Sequence, residues 1–143
     1  MRVILDTNVL ISGLLVAHGV PAKLLDAWER GAFTLIACNA LIAELREVAA
    51  RPFFRERLGA GAVEVLAGGL RDFTAFYENP PRGARAPDPK DSFLLALAEA
   101  SAADFLVTGD KRLLSLKRHK SARIISPATM VGLLKEAEQG REE

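Results

Sequence analysis

The chain begins with Arg2-Val3-Ile4-Leu5, runs straight into Asp6-Thr7-Asn8, and turns apolar again from Val9 to Ala17. Three consecutive apolar residues, two of them β-branched, predict a short buried strand. A helix-like apolar stretch follows with almost no connection, and strand–helix units of this kind stack into parallel sheets. The strand stops at a carboxylate. In α/β folds that end of a strand borders the crevice where ligands bind, and an unpaired buried charge is costly there. Whatever keeps Asp6 company decides the chemistry open to the chain.

At 143 residues the sequence predicts one domain over 1–143, large enough for a sizeable core. The formal net charge of +1 gives no global field toward nucleic acid or membrane, so any such preference must lie in how charges are distributed. Cys38 stands alone, which excludes an intrachain disulfide and fits a reducing, cytoplasmic setting. The run Val9–Ala17 has the length of a signal-peptide core, with Arg2 before it. Asp6 and Asn8 are misplaced for that role, however, and no A-x-A-like site closes the run. It is too short to span a bilayer, so it reads as a buried helix with no membrane partner.

Further along, Val20-Pro21 opens a helical pattern ending at Gly31, with Leu24, Leu25 and Trp28 on one face. Phe33 to Ala37 predicts a strand, and Asn39 can cap the helix after it, where Leu41, Leu45 and Val48 recur at helical spacing. Pro52 breaks or re-aims that helix. Phe53 to Tyr77 reads as helical in two pieces, interrupted near Gly59–Gly61 and weakened by Gly68-Gly69. Glu78 to Pro89 is a surface loop rich in Pro, Gly and Arg. A helix over 89–101, a strand over 104–108, a short helical turn through Leu113, Leu114 and Leu116, and a strand over 123–126 follow. Pro127 opens a last helix, and its charged tail from Glu136 to Glu143 is expected to fray. Alternating strands and helices with short connections predict an α/β fold, a mainly parallel sheet with helices on both faces.

Glu44 falls three residues after Leu41 and four before Val48, on or beside the apolar stripe of its helix. It either edges that stripe and reaches water, or it points inward for a purpose. Asp91 precedes Leu94, Leu95 and Ala98 and so begins an apolar face. It could be an acidic first-turn residue behind an Asp88 cap. Asp110 leaves the strand Phe105–Val107 after Thr108-Gly109 and could cap the helix that follows. Like Asp6, it sits at the edge where α/β folds build sites.

Four such acids can converge in one cleft. Two like charges at ~4 Å repel by roughly 4 kcal/mol at an effective dielectric near 20. Either some are protonated or a divalent cation holds them. An all-oxygen ligand set points to Mg²⁺ or Mn²⁺ over zinc. Hard ions among carboxylates polarise phosphoryl oxygens and activate water for in-line displacement at phosphorus. Asn8 and Thr7 could tune Asp6 or simply form the turn. Neither His18 nor His119 has a partner at ligand spacing, and Cys38 reads as a small core residue.

These segments, D-T-N-V-L-I-S, A-L-I-A-E-L, D-P-K-D-S-F-L-L-A-L-A and F-L-V-T-G-D-K-R-L-L, resemble the PIN-domain (PilT N-terminus) family. The similarity extends over nearly the whole chain, I-I-S-P-A-T-M included, and is nearest to PIN-family toxins of toxin–antitoxin pairs. It implies a Rossmann-like three-layer α/β/α sandwich and Mg²⁺- or Mn²⁺-dependent cleavage of RNA, leaving 5′-phosphate and 3′-hydroxyl ends. The family's acidic residues map onto Asp6, Glu44, Asp91 and Asp110, with Asn8 beside them. The resemblance also implies a homodimer and an inhibiting antitoxin partner. Two departures stand out. Lys90 replaces an acid in Asp88-Pro89-Lys90-Asp91, which leaves Asp88 open as ligand or cap, and Cys38 stands near a usual Ser.

RNA needs an electropositive approach to so acidic a centre. Lys111, Arg112, Lys117, Arg118, Lys120 and Arg123 follow one another without an acid, and Arg82, Arg85 and Lys90 precede Asp91. A solvated face explains them equally well; Lys111, Arg112, Arg85 and Lys90 are the candidate RNA contacts. The expected activity is that of a metal-dependent endoribonuclease. One alternative is a non-catalytic PIN-fold module that binds RNA or a partner protein. Another is a haloacid-dehalogenase-type phosphatase, which normally needs an Asp where this chain has Asn8.

Overall fold

The computed structural model describes residues 1–78, 80, 86 and 89–142, apart from the side chains of Ala60, Lys90 and Glu142. Asp88, Arg82 and Arg85, like the Lys90 side chain, lie outside the described residues. The first strand, β1 (Arg2–Leu5), leads directly into α1 (Thr7–Leu15). Val3, Ile4 and Leu5 are fully buried, as are Leu10 and Ile11 of the helix. The expected N-terminal strand–helix unit is therefore the centre of the core.

Next come α2 (Val20–Glu29), β2 (Thr34–Cys38), α3 (Asn39–Ala49), α4 (Pro52–Arg57), α5 (Ala60–Asp72) and β3 (Ala75–Tyr77). A 3-10 turn (Pro89–Asp91) precedes α6 (Ser92–Ser101), then β4 (Phe105–Val107), α7 (Lys111–Leu114), β5 (Arg118–His119), β6 (Ala122–Ile125) and α8 (Pro127–Glu142). The sheet order is β3-β2-β1-β4-β6-β5, parallel except for the antiparallel β5. Strand order runs outward in one direction from β1 to β3 and in the other from β4. Right-handed crossovers then place α6 on the face opposite α1, α2, α3 and α5. On the first face α1 packs on α2 and α3, α3 on α5, and α2 on α8, while α6 lies against β2 and β4.

Four expectations need correction. The segment read as helical up to Tyr77 ends at Asp72 and finishes as β3, whose three residues are each only half-buried and show no alternation. Cys38, not Asn39, occupies the residue before α3, and its side chain makes no capping hydrogen bond. The two-residue β5 was not anticipated. It is held to α6 by His119, whose Nε2 lies 2.6 Å from Glu99 Oε1. The segment from Glu136, expected to fray, is helical to Glu142.

Two glycines fix the entry to this layer. Gly31 ends α2 at φ +76°, a conformation that L side chains rarely adopt. Gly13 lets α1 approach α2: a Cβ there would stand 2.6 Å from Leu25 Cδ1 and 3.3 Å from the Pro21 carbonyl oxygen. Leu25 is buried and cannot swing away freely. Gly13→Val is therefore expected to cost about 1–3 kcal/mol through overpacking, read as a lower urea midpoint at unchanged m-value.

Candidate active site

The parallel register brings the carboxyl ends of β1 and β4 side by side at the point where strand order reverses, the usual crevice of an open α/β sheet. Leu5 pairs with Val107, so the next residues, Asp6 and Thr108, flank each other. The Asp6 amide donates to the Val107 carbonyl at 2.9 Å. Its own carbonyl accepts the first amides of α1, from Val9 and Leu10. Asp6 thus occupies the N-cap position of α1, yet its side chain does not cap the helix. Instead its Oδ2 accepts a hydrogen bond from the Thr108 hydroxyl at 2.7 Å, with the residue only 4% exposed.

Glu44 projects from the second turn of α3, where Leu41, Ile42 and Leu45 face the core. Its Oε2 and Thr7 Oγ1 are both buried without a well-formed hydrogen bond among the described residues, although the Thr7 hydroxyl lies near enough to favour the Glu44 carboxylate. The side chain as a whole is half-buried, with Oε2 covered. Burial pushes its carboxyl up to about 7, and the nearby Asp6 and Asp91 carboxylates push the same way. The Asp6 carboxyl is also raised, first by burial, with the charge of Asp110 adding to it. Burial likewise raises the Cys38 thiol at the end of β2, and Glu44 contributes.

Asp6, Glu44, Asp91 and Asp110 are thus brought within electrostatic reach of one another from β1, α3, the start of α6 and the exit of β4. Asp91 sits at the N-cap position of α6 but makes no capping hydrogen bond to it, so capping does not account for this carboxylate. Asp110 does cap: its Oδ1 accepts from the Arg112 amide at 2.8 Å. Among the described residues, no three Asp, Glu, His or Cys side chains are gathered closely enough to hold an ion. Burial and the neighbouring carboxylates favour the protonated form of Glu44.

The other candidates are more dispersed. Asn8 is exposed on the first turn of α1. Lys111 and Arg112 are exposed on α7, just past Asp110. The rest of the basic run does not share that approach. Because β5 is antiparallel and pairs Arg118 with Arg123, which itself pairs with Phe105 at the start of β4, these residues lie toward the opposite edge of the sheet. Arg123 lies over the Phe105 ring, 5.9 Å from its centroid.

Thr108 is the site residue that the sequence reading left without a role. Its signal was local: a hydroxyl two residues before an acid can accept that residue's amide, and the Asp110 amide does donate to Thr108 Oγ1 at 3.0 Å.

The model of the PIN domain family matches residues 2–112. Among solved structures, the chain is similar to PAE2754 from Pyrobaculum aerophilum, with 20% identity, a TM-score of 0.61, and coverage of 95% of this chain and 90% of that one. It is also similar to FitAcB from Neisseria gonorrhoeae, with 18% identity, a TM-score of 0.48, and coverage of 88% and 98%. No curated protein matches it.

The strain on Glu44 has a measurable sign. An acid whose carboxyl is raised by folding binds more protons when folded, so stability falls as pH rises from the ordinary 4.5 to about 7. Glu44→Gln is expected to flatten metal-free stability across that window. At pH 8 it should raise the melting temperature by about 3 °C, after discounting for the partial exposure of this group. Calorimetric melts at pH 5 and pH 8 in EDTA check this.

Proposed function

The chain belongs to the PIN domain family, whose members are in general nucleases, and from that premise we propose that it is a Mg²⁺- or Mn²⁺-dependent endoribonuclease. The observation that carries the proposal is the series of charge interactions on the sheet's carboxyl edge, Asp110 acting on Asp6, and Asp6 and Asp91 on Glu44, whose carboxyl burial pushes up to about 7. The donor set fits a hard divalent ion. It is all oxygen, and it includes a buried oxygen, Glu44 Oε2, without a well-formed hydrogen bond among the described residues. Asp6, Glu44, Asp91 and Asp110 would hold the ion. When bound, it would polarise a phosphoryl oxygen and lower the barrier to attack by water in line with the leaving oxygen.

The chain's own groups supply the rest. Thr108 holds one oxygen of Asp6 in place. Glu44, lying against Asp6 and Asp91, would share in binding the ion. Lys111 and Arg112, exposed beside Asp110, would meet the phosphates of an RNA strand in a salt-dependent way. The reaction then yields 5′-phosphate and 3′-hydroxyl ends.

We further propose a cytoplasmic toxin restrained by an antitoxin protein. This rests on the likeness to PIN-family toxins. It is supported by an apolar groove of ≈ 720 Å³ lined by Leu14, Trp28, Leu66, Gly69, Val65 and Phe73, the last two each 77% exposed. Exposed apolar surface of this kind marks places where partners bind. The spread of the four acids favours one rival, a module that binds RNA or protein without turnover.

Incubation of a mixed RNA pool with the purified protein and Mn²⁺ separates the readings. Cleavage is expected, and EDTA should abolish it. Asp6→Asn should lower the rate by roughly 10²-fold or more while leaving the metal-free melting temperature unchanged or higher, because a repelling charge is removed. Metal-dependent cleavage that survives this substitution would overturn the assignment of Asp6.

A further inference from the structure

Thr108 is fully buried, at the exit of β4. Its hydroxyl lies between two partners, the Asp110 amide at 3.0 Å and Asp6 Oδ2 at 2.7 Å. An amide can only donate, so the hydroxyl accepts there, and its single proton is committed to the Asp6 carboxylate. This arrangement has one direction and no slack. A carboxylate torsion is otherwise broad and nearly two-fold. Here Oδ2 is pinned by the Thr108 hydroxyl, and the Thr7 amide also favours the carboxylate. The same hydroxyl shapes the turn to Asp110, whose Oδ1 is in turn fixed by the Arg112 amide.

Sheet packing does not ask for this hydroxyl. The backbone contact between β1 and β4 is already closed by the Asp6 amide on the Val107 carbonyl. In a fully buried, β-branched position beside Leu106 and Val107, valine would pack equally well and carry no polar atom to satisfy. What valine could not do is join the Asp6 carboxylate to the backbone amide of Asp110, 104 residues further along the chain.

We propose that Thr108 is the positioning residue of the metal centre, a clamp that sets Asp6 and Asp110 together in the orientation that receives the cation. The proposal rests on the metal-dependent reading above, and two measurements keep the two apart. The first needs no metal: hydrogen exchange of the Asp110 amide, followed by NMR in EDTA. The second is calorimetric titration with Mn²⁺. Thr108→Val should fold with the wild-type circular dichroism spectrum, lose protection at the Asp110 amide, and bind Mn²⁺ about 10- to 100-fold more weakly, the usual cost of losing an outer-shell partner. Thr108→Ser, which keeps the hydroxyl, should restore both readouts to within about threefold of wild type. Where valine is not accommodated, Thr108→Ala takes its place.

Wild-type Mn²⁺ affinity in the valine variant would overturn the clamp while leaving the metal reading intact. So would a serine variant that keeps Asp110 protected yet binds as weakly as valine. A wild-type protein that takes up no Mn²⁺ at millimolar concentration would overturn the metal reading itself, and the purpose of the clamp with it.

Discussion

The carboxyl edge of the sheet answers to one constraint: Asp6 is an acid placed where water barely reaches. The buried strand before it and the buried helix after it leave its backbone no alternative position. Hydrogen bonds from the Thr108 hydroxyl and the Thr7 amide offset part of the desolvation. The rest is answered by proton uptake nearby, because Glu44 and Asp91 stand close enough to raise the cost of a full set of charges. Such a centre is uncomfortable when empty. A site of this kind gains from a divalent cation what a neutral pocket of the same shape would not.

Three of the four acids occupy the position before a helix, Asp6 before α1, Asp91 before α6 and Asp110 before α7. Sequence alone gives each the same structural excuse. Coordinates separate them: Asp110 caps its helix, whereas Asp6 and Asp91 do not. The start of a helix nonetheless favours negative charge through its exposed amides and aligned dipoles. The starts of α1 and α6 therefore favour the charges of Asp6 and Asp91 without a capping bond, whereas Asp110 gives Oδ1 to the Arg112 amide.

Much of this was legible in the sequence, for physical reasons that can be named. β1, α1, α3 and α6 carry long apolar runs or clear helical spacing, and Glu44 gave itself away by sharing a stripe with Leu41 and Leu45. β3 and β5 were illegible because three and two residues are too few for a period to register. The Gly68-Gly69 pair suggested a weak helix; in the fold Gly69 instead makes room for Trp28, whose Cη2 would lie 3.2 Å from any Cβ placed there. Thr108 was overlooked because its worth depends on Asp6, over a hundred positions away. The basic run looked continuous in sequence and was divided by the reversal of β5, a feature of topology that composition does not carry.

That reversal has a use of its own. Arg118 and Arg123 face each other across β5 and β6, both exposed, a like-charged pair that weakens the ladder it sits in. β5 is the last strand on its side of the sheet, with a further lysine in the turn beyond it. An outermost strand offers unpaired amides and carbonyls to any extended chain that drifts past. One that is two residues long and flanked by cations makes a poor template for such recruitment. The charges that do not approach the acidic crevice thus guard the molecule against sticking to its own kind.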